Sequence, residues 1–490
     1  MMQGLLPAGD VARLREALET AGYTAPGIGA RIGPAAVDAV RRNDFRPLLK
    51  ATTDGDRLAT LIRVFIAGHT EPAPAVTAAL APLPLERALA AGLVEAAADG
   101  VRATVDLDVY HDWWILSDVD ASGVRPMRPD HVLGVGNAAS TLAGATIRRP
   151  VRTALDLGTG CGVQALHLSG HARAVTATDV SPRALRFAAT TAALNGEDWE
   201  LLEGDLVRPV AGRRFDLVVS NPPFVVGPAS TRYAYRDSGR AGDGICAELA
   251  AAAPTLLTEG GTMQYLANWL HVSGRDWRER VREWVDGTGC DAWIIQRDVS
   301  DPVDYVNLWR RDASEPADPA RAGEWLDWFD ANRVEAVGFG VVTLRRRGRD
   351  DPAVRVEELA QTVEPPLGEA VAEWFDRWDW LADRRSDGYA PLLSERLRRA
   401  PDLRLTQHAG HDGEDWTVDR QVLALTGGLR WAEEVDPVAL ALVSGADGKS
   451  PARDQLAVLA AAFDVPEAEL AATAAPVLAS MVERGFLLPA

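Results

Sequence analysis

Cysteines, long apolar runs and positive charge are all scarce in this chain, and each shortage excludes a class of protein. The three cysteines, Cys161, Cys246 and Cys290, are too few and too scattered for a disulfide framework or a zinc site, so no metal is expected. Apolar runs such as 78–83 are far too short to cross a bilayer. Because the N-terminus also lacks the pattern of a secretory signal, we expect a cytoplasmic protein with no membrane partner.

The charge balance of the chain is strongly acidic. There are 51 lysines and arginines against 70 aspartates and glutamates, which gives a formal net charge of −19 at pH 7. Proteins that bind nucleic acids usually carry a basic surface, so this balance argues against a simple RNA or DNA binder. It leaves nucleic-acid binding open, because a local basic face can survive on an acidic protein.

At 490 residues the chain exceeds what one hydrophobic core usually supports, and its patterns change twice. Residues 1–128 have apolar residues at helical spacing and end in alternation, which predicts a mainly helical, winged-helix-type domain closed by a hairpin. Residues 129–350 alternate strand-like and helical stretches. Residues 351–490 return to a mainly helical pattern that resembles a winged helix. We therefore predict three domains.

Seven apolar, strand-like runs are separated by helical stretches in the central domain. This rhythm of buried strands and crossover helices predicts an α/β fold with a Rossmann-like, doubly wound sheet of mainly parallel strands. The predicted strands are 153–157, 174–178, 200–203, 215–220, 262–267, 292–296 and 337–344.

The first predicted strand ends at Asp156 and runs into a glycine-rich loop with Gly158, Gly160 and Gly162. Glycines allow sharp turns and close approach of a ligand, and the N-terminus of the following helix offers unpaired N–H groups to a carboxylate. Asp156 is placed to bond a cationic amino group, directly or through water. A zwitterionic amino-acid tail fits this pair better than a pyrophosphate, and the glycine spacing differs from the dinucleotide pattern.

The next three strands also end in polar residues. Asp179, at the tip of the second strand, is the usual partner of ribose hydroxyls. Asp205 follows the third strand, where a carboxylate can accept a hydrogen bond from an adenine amino group. The fourth strand ends in the sequence Asn-Pro-Pro-Phe at 221–224. These polar residues follow one another at successive strand ends, which predicts one combined site for a cofactor and for catalysis.

Residues 153–267 resemble the class I S-adenosylmethionine-dependent methyltransferases of the small-domain type, whose catalytic signature is Asn-Pro-Pro-[Phe/Tyr]. The turn at 237–244 and the glycine pair at 260–261 are similar to the glutamine methyltransferases of peptide release factors. Phe224, followed by Val-Val-Gly-Pro, resembles the ribosomal RNA guanine-N2 methyltransferases. The resemblance implies a seven-stranded methyltransferase core and S-adenosyl-L-methionine as cofactor. It implies cofactor contacts at Asp156, Gly158, Gly160, Gly162, Asp179, Asp205 and Asn221, and a covering segment at 131–140.

The same resemblance assigns catalysis to residues 221–224. The lone pair of an aromatic amine or amide nitrogen is delocalised, so the nitrogen must be oriented toward the methyl group. The side-chain oxygen of Asn221 and the carbonyl of Pro222 can each accept one N–H of the target. Pro222 and Pro223 stiffen the loop, and Phe224 offers a flat face for stacking. This implies methylation of a planar nitrogen.

The sequence leaves more than one candidate for the molecule that accepts the methyl group. The two main candidates are a base of ribosomal RNA and a glutamine side chain of a protein such as a translation factor. The acidic balance favours a protein, and Phe224 favours a nucleobase. A small-molecule amine is a further alternative, as is a non-catalytic regulator that binds S-adenosylmethionine and associates with DNA. Such a regulator would have little use for residues 221–224.

Overall fold

The computed structural model describes residues 3–119, 127–229, 231–312, 319–348, 351–411 and 413–490. The chain forms two compact units, one of Met1–Ala143 with Pro150–Leu359 and the other of Gly144–Arg149 with Ala360–Ala490. The three domains of the sequence analysis divide the chain more finely, and that division stays a prediction.

The N-terminal part of the first unit is a group of short helices followed by two hairpins. Its alternating residues around 101–110 predicted one hairpin, and they form the second strand of one hairpin and the first strand of the next. A π-helical turn, Ile62–Ile66, follows the fifth helix. The elements are α1 (Ala8–Ala21), α2 (Ala25–Ile32), α3 (Pro34–Val40), α4 (Arg46–Ala51), α5 (Arg57–Leu61), α6 (Ala73–Leu80), α7 (Leu85–Ala91), β1 (Val94–Ala97), β2 (Gly100–Ala103), β3 (Val105–Tyr110) and β4 (Trp113–Asp118).

The central sheet confirms the predicted α/β class. Its strands are β5 (Val151–Leu157), β6 (Ala172–Asp179), β7 (Glu200–Glu203), β8 (Phe215–Ser220), β9 (Leu257–Val272), β10 (Cys290–Ser300), β11 (Val334–Arg346) and β12 (Val354–Glu358). Their order is β12-β10-β11-β9-β8-β5-β6-β7. Strands β5 to β9 pair in parallel, and β11 is antiparallel to both of its neighbours. All seven predicted strands are present, and the edge strand β12 adds an eighth.

Helices cover both faces of this sheet because its strands are apolar on both sides. On β8, Leu217 and Val219 belong to one core cluster and Val218 to another. The first cluster also contains Phe187 and residues of the N-terminal helices, so these helices and the sheet share a core. The helices of this part are α8 (Asn137–Ala145), α9 (Val163–Ser169), α10 (Pro182–Asn195), α11 (Gly244–Leu256), α12 (Trp277–Arg282), α13 (Pro302–Asp312) and α14 (Pro319–Ala331).

The second unit combines helices with two three-stranded sheets, ordered β17-β13-β18 and β14-β15-β16. The sequence predicted helices here but not the sheet of β14 to β16. Most residues of β14 and β15 are exposed on both faces, so the sequence lacks the apolar alternation that marks a strand. The elements are α15 (Gly368–Ala382), α16 (Ser386–Tyr389), β13 (Arg396–Arg399), β14 (Leu403–His411), β15 (Trp416–Leu425), β16 (Ala432–Glu434), α17 (Pro437–Gly445), β17 (Asp447–Pro451), α18 (Ala452–Phe463), α19 (Glu467–Arg484) and β18 (Leu487–Pro489).

None of the helices in the described ranges combines the length and the apolar character that a membrane span requires.

Candidate functional site

A cavity of about 980 Å³ opens at the carboxyl ends of β5, β6, β7 and β8. A doubly wound sheet binds its ligands at this edge, and the volume is that of a pocket for a small molecule. One side is formed by the loops after these strands, at 157–164, 178–181, 204–206 and 220–223. The opposite side comes from the N-terminal part of the chain, including residues of β3 and β4 and the segment 131–136.

The glycine-rich loop after β5 forms the floor of the cavity. Its three glycines all have left-handed backbones, with φ of 79° at Gly158, 54° at Gly160 and 90° at Gly162. A Cβ built on Gly158 or Gly160 would meet no atom within 4 Å, whereas one on Gly162 would lie 2.7 Å from the ring of Trp199. The first two glycines therefore leave open space in front of the loop, and the third lets the loop pack against Trp199.

Asp156 lies beneath this loop rather than at the cavity surface. Its side chain is fully buried, and one carboxylate oxygen accepts hydrogen bonds from the Thr159 hydroxyl at 2.6 Å and the Ala165 amide at 3.1 Å. The other oxygen is buried without a hydrogen-bond partner in the described part of the chain. A direct bond to a ligand amino group would need this carboxylate at the surface of the cavity. Instead, Asp156 ties the loop to α9.

Asp179 holds the loop from the other side and does line the cavity. Its carboxylate accepts from the Gly160 amide at 2.9 Å and from the Ser181 amide at 2.8 Å. Each oxygen keeps a further lone pair for a ligand hydroxyl. Burial raises the pKa of Asp179 above its ordinary value. Asp205 also lines the cavity, 3.5 Å from the guanidinium of Arg240.

The loop after β8 brings Asn221, Pro222 and Pro223 to the cavity. The side-chain oxygen of Asn221 is buried and has no hydrogen-bond partner in the described ranges. The carbonyl of Pro222 accepts from the Phe224 amide at 2.7 Å, which leaves one of its lone pairs. Phe224 does not line the cavity. Its ring packs edge-to-face against Trp309, with 5.9 Å between ring centroids.

Residues far along the chain fix this loop, and sequence reasoning missed them. The hydroxyl of Tyr305 accepts from the Val226 amide at 2.8 Å and from the Asn268 side chain at 2.9 Å. The indole of Trp325 donates to the Val226 carbonyl at 3.1 Å. Because these partners stand 79 and 99 residues from Val226, no local pattern pointed to them.

The sequence analysis did not predict that β3 and β4 form the wall opposite the glycine loop. It did place the segment 131–140 near the cofactor, and most of that segment lines the cavity. Asp118 on β4 accepts from the Val132 amide at 2.9 Å and forms an ion pair with Arg183. Asp108 on β3 faces the same space. The alternation of β3 predicted a strand, but it could not show which face would meet the core and which would meet a ligand.

Within the described ranges, no group of three potential metal ligands is present.

Comparison with known proteins places this site within a known family. Residues 135–272 match the family described as "Methyltransferase small domain". A release factor glutamine methyltransferase of Xylella fastidiosa is 32% identical over 278 residues, which cover 54% of this chain and 92% of the relative. The chain belongs to the methyltransferase small-domain family. Residues 20–104 and 372–489 match two domains of unknown function, DUF7059 and DUF7782.

Other members of the family match over shorter stretches. The release factor glutamine methyltransferase of Deinococcus radiodurans is 38% identical over 166 residues, covering 29% of this chain and 57% of the relative. The ribosomal RNA small subunit methyltransferase C of Alcanivorax borkumensis is 35% identical over 114 residues, covering 23% of this chain and 31% of the relative. The chain thus spans about a third to a little over half of these two relatives.

Replacing Gly162 with alanine tests the packing of the glycine loop. The added methyl group meets the Trp199 ring in a left-handed backbone, so we expect the free energy of unfolding to fall by about 2 kcal/mol or more. Gly212→Ala is the matched control, because Gly212 has φ of 80° and open space around a Cβ. Its cost should be about 1 kcal/mol, from the backbone alone. Equal losses in denaturant unfolding would contradict the role given to Trp199.

Replacing Asp156 with asparagine tests the burial of its carboxylate through pH. Burial raises the pKa of Asp156 to about 7, against about 3.9 in an unfolded chain. Its contribution to stability is therefore complete below about pH 4 and is lost as the pH rises through 7. Between pH 5 and 8, wild type should lose roughly 2–3 kcal/mol relative to Asp156→Asn in denaturant unfolding. A difference that stays constant with pH would contradict this assignment.

Proposed function

We propose that this chain is an S-adenosyl-L-methionine-dependent methyltransferase that methylates a planar amide or amine nitrogen of a macromolecule. The observation that carries the proposal is the side-chain oxygen of Asn221, which is buried at the cavity without a partner. A buried acceptor left unpaired costs folding free energy, so its presence calls for a ligand donor. An N–H of the acceptor group is such a donor.

The residues around the glycine loop fit the cofactor. Open space in front of Gly158 and Gly160 leaves room for its amino-acid tail. The free lone pairs of Asp179 suit two ribose hydroxyls, and Asp205 is a candidate acceptor for the adenine amino group. When bound, S-adenosyl-L-methionine supplies an electrophilic methyl group on a sulfonium.

The acceptor nitrogen is then oriented by residues of this chain. Asn221 offers its side-chain oxygen, and Pro222 offers the carbonyl lone pair that Phe224 does not use. Together they can hold both N–H groups of an NH2 and direct its lone pair out of conjugation. As positive charge grows on the nitrogen, these two fixed dipoles stabilise it without reorganising. Pro222 and Pro223 present no N–H donor that would compete.

Within this proposal we favour a protein amide over an RNA base. Phe224, the residue that suggested base stacking, packs against Trp309 outside the cavity lining. The N-terminal wall of the cavity presents Asp108, which has no ion pair in the described ranges and would repel a phosphate backbone. The relative that this chain covers most fully here is named a glutamine methyltransferase. RNA is the alternative, and a small-molecule amine and a regulatory role stay further alternatives. Cytoplasmic localisation stays a prediction.

Asn221→Ala should abolish methyl transfer while leaving the cofactor affinity within about threefold. The loss of one preorganised acceptor should lower turnover by at least about 100-fold. Asp179→Ala is the contrasting variant and should weaken cofactor binding about tenfold, as measured by calorimetry. Retained turnover in Asn221→Ala would refute its role. Unchanged affinity in Asp179→Ala would refute the ribose assignment.

The acceptor class can be read from tritium transfer. The purified protein is incubated with methyl-tritiated cofactor and a lysate of cells that lack this gene, and the products are split between RNase and protease treatment. Label that survives RNase but not protease supports a protein amide. Label that survives protease but not RNase selects RNA instead. Asn221→Ala serves as the control for label that does not depend on this site.

A further inference from the structure

Strand β3 turns two carboxylates toward the cavity. Val105 and Leu107 are buried in the core, and the Leu107 carbonyl accepts from the hydroxyl of Tyr23 at 2.7 Å. Since side chains alternate along a strand, Asp106 and Asp108 point to the opposite face, and both line the cavity. The N-terminal hairpin thus contributes acidic groups to a site whose glycine loop lies more than 40 residues further along the chain.

Asp108 differs from the other carboxylates discussed at this cavity. Asp118 is paired with Arg183, and Asp179 accepts from two backbone amides. Asp108 has no hydrogen bond or ion pair within the described ranges, although it is half-buried. Burial raises its pKa. A carboxylate held in this way destabilises the fold unless a cation or donor from outside the chain meets it.

The surroundings place Asp108 opposite the glycine loop. One of its oxygens would lie 3.4 Å from a Cβ built on Gly134, in the segment that covers the cavity. Burial first, and then the charges of Asp156 and Asp108, raise the pKa of the Cys161 thiol to about 12. Cys161 stands between Gly160 and Gly162, and both Cys161 and Asp108 line the cavity.

Among the described residues that line the cavity, no arginine pairs with Asp108. The arginines that line the cavity, Arg41 and Arg240, are paired with carboxylates of their own, Asp38 at 3.4 Å and Glu248 at 2.8 Å. A positive group that comes with the ligand can therefore meet Asp108. The amino-acid tail of S-adenosyl-L-methionine carries one, and the glycine loop leaves room for that tail.

We propose that Asp108 binds the ammonium group of the cofactor's amino-acid tail. This assignment rests on the proposed function, and it gives Asp108 the contact that the sequence suggested for Asp156. The N-terminal hairpin then completes the cofactor site.

The test compares two ligands that differ only in this ammonium group. S-Adenosyl-L-homocysteine and its deaminated analogue, in which hydrogen replaces the amino group, are titrated calorimetrically into wild type, Asp108→Asn and Asp112→Asn. Asp112 is exposed in the turn of the same hairpin and does not line the cavity. Asp112→Asn therefore removes the same charge from the hairpin without changing the cavity. Wild type and Asp112→Asn should prefer the amino ligand by about tenfold or more, as a charge-assisted hydrogen bond predicts.

In Asp108→Asn this preference should vanish, while the deaminated analogue binds as it does to wild type. The thermal midpoint of the ligand-free variant should be no lower than that of wild type, because an unpaired carboxylate has been removed. An undiminished preference in Asp108→Asn overturns the assignment and leaves the proposed function standing. An equal loss in Asp112→Asn also overturns it. If wild type binds neither ligand, the proposed function fails as well.

Discussion

The site depends on two carboxylates that grip one glycine-rich loop from below and from the side. Asp156 holds the Thr159 hydroxyl and the start of α9, and Asp179 holds the Gly160 amide. Because the two strands that carry them are adjacent and parallel, their ends meet at the same edge of the sheet. The loop therefore has a fixed shape, and its open side can face only the cavity.

Some polar atoms near the same loop have no hydrogen-bond partner in the described ranges. Asp156 and Asn221 each bury an oxygen without a partner in the described ranges, and Asp108 has no ion pair there. The buried hydroxyl of Tyr305, by contrast, accepts two hydrogen bonds. A buried acceptor without a partner costs stability in the ligand-free protein, so the Asn221 oxygen at the cavity is an argument for a polar ligand. A polar atom left unpaired for a ligand lowers the stability of the ligand-free protein, so binding at this site is gained at the expense of stability.

The local sequence was enough to predict the sheet and the glycine-rich loop. Features that depend on packing between distant residues could not be predicted from it. The runs 153–157 and 215–220 are apolar enough to specify buried strands, and the glycines at 158, 160 and 162 specify a sharp turn. The position of Phe224 depends on Trp309, and the loop after it depends on Tyr305, both from α13. No spacing rule links such residues. The depth of Asp156 likewise follows from packing, which a motif does not encode.

Membership of the family and the specificity of the site rest on different parts of the chain. The family match covers residues 135–272, which include the glycine loop and Asn221. Asp108 and Tyr305 lie outside that range, yet Asp108 lines the same cavity and Tyr305 bonds to the segment that follows Asn221. The N-terminal helices also share the core cluster of α10, so the wall carrying Asp108 is rigidly tied to the sheet. The family match therefore accounts for the glycine loop and Asn221, while the wall with Asp108 and the support from Tyr305 come from outside the matched residues.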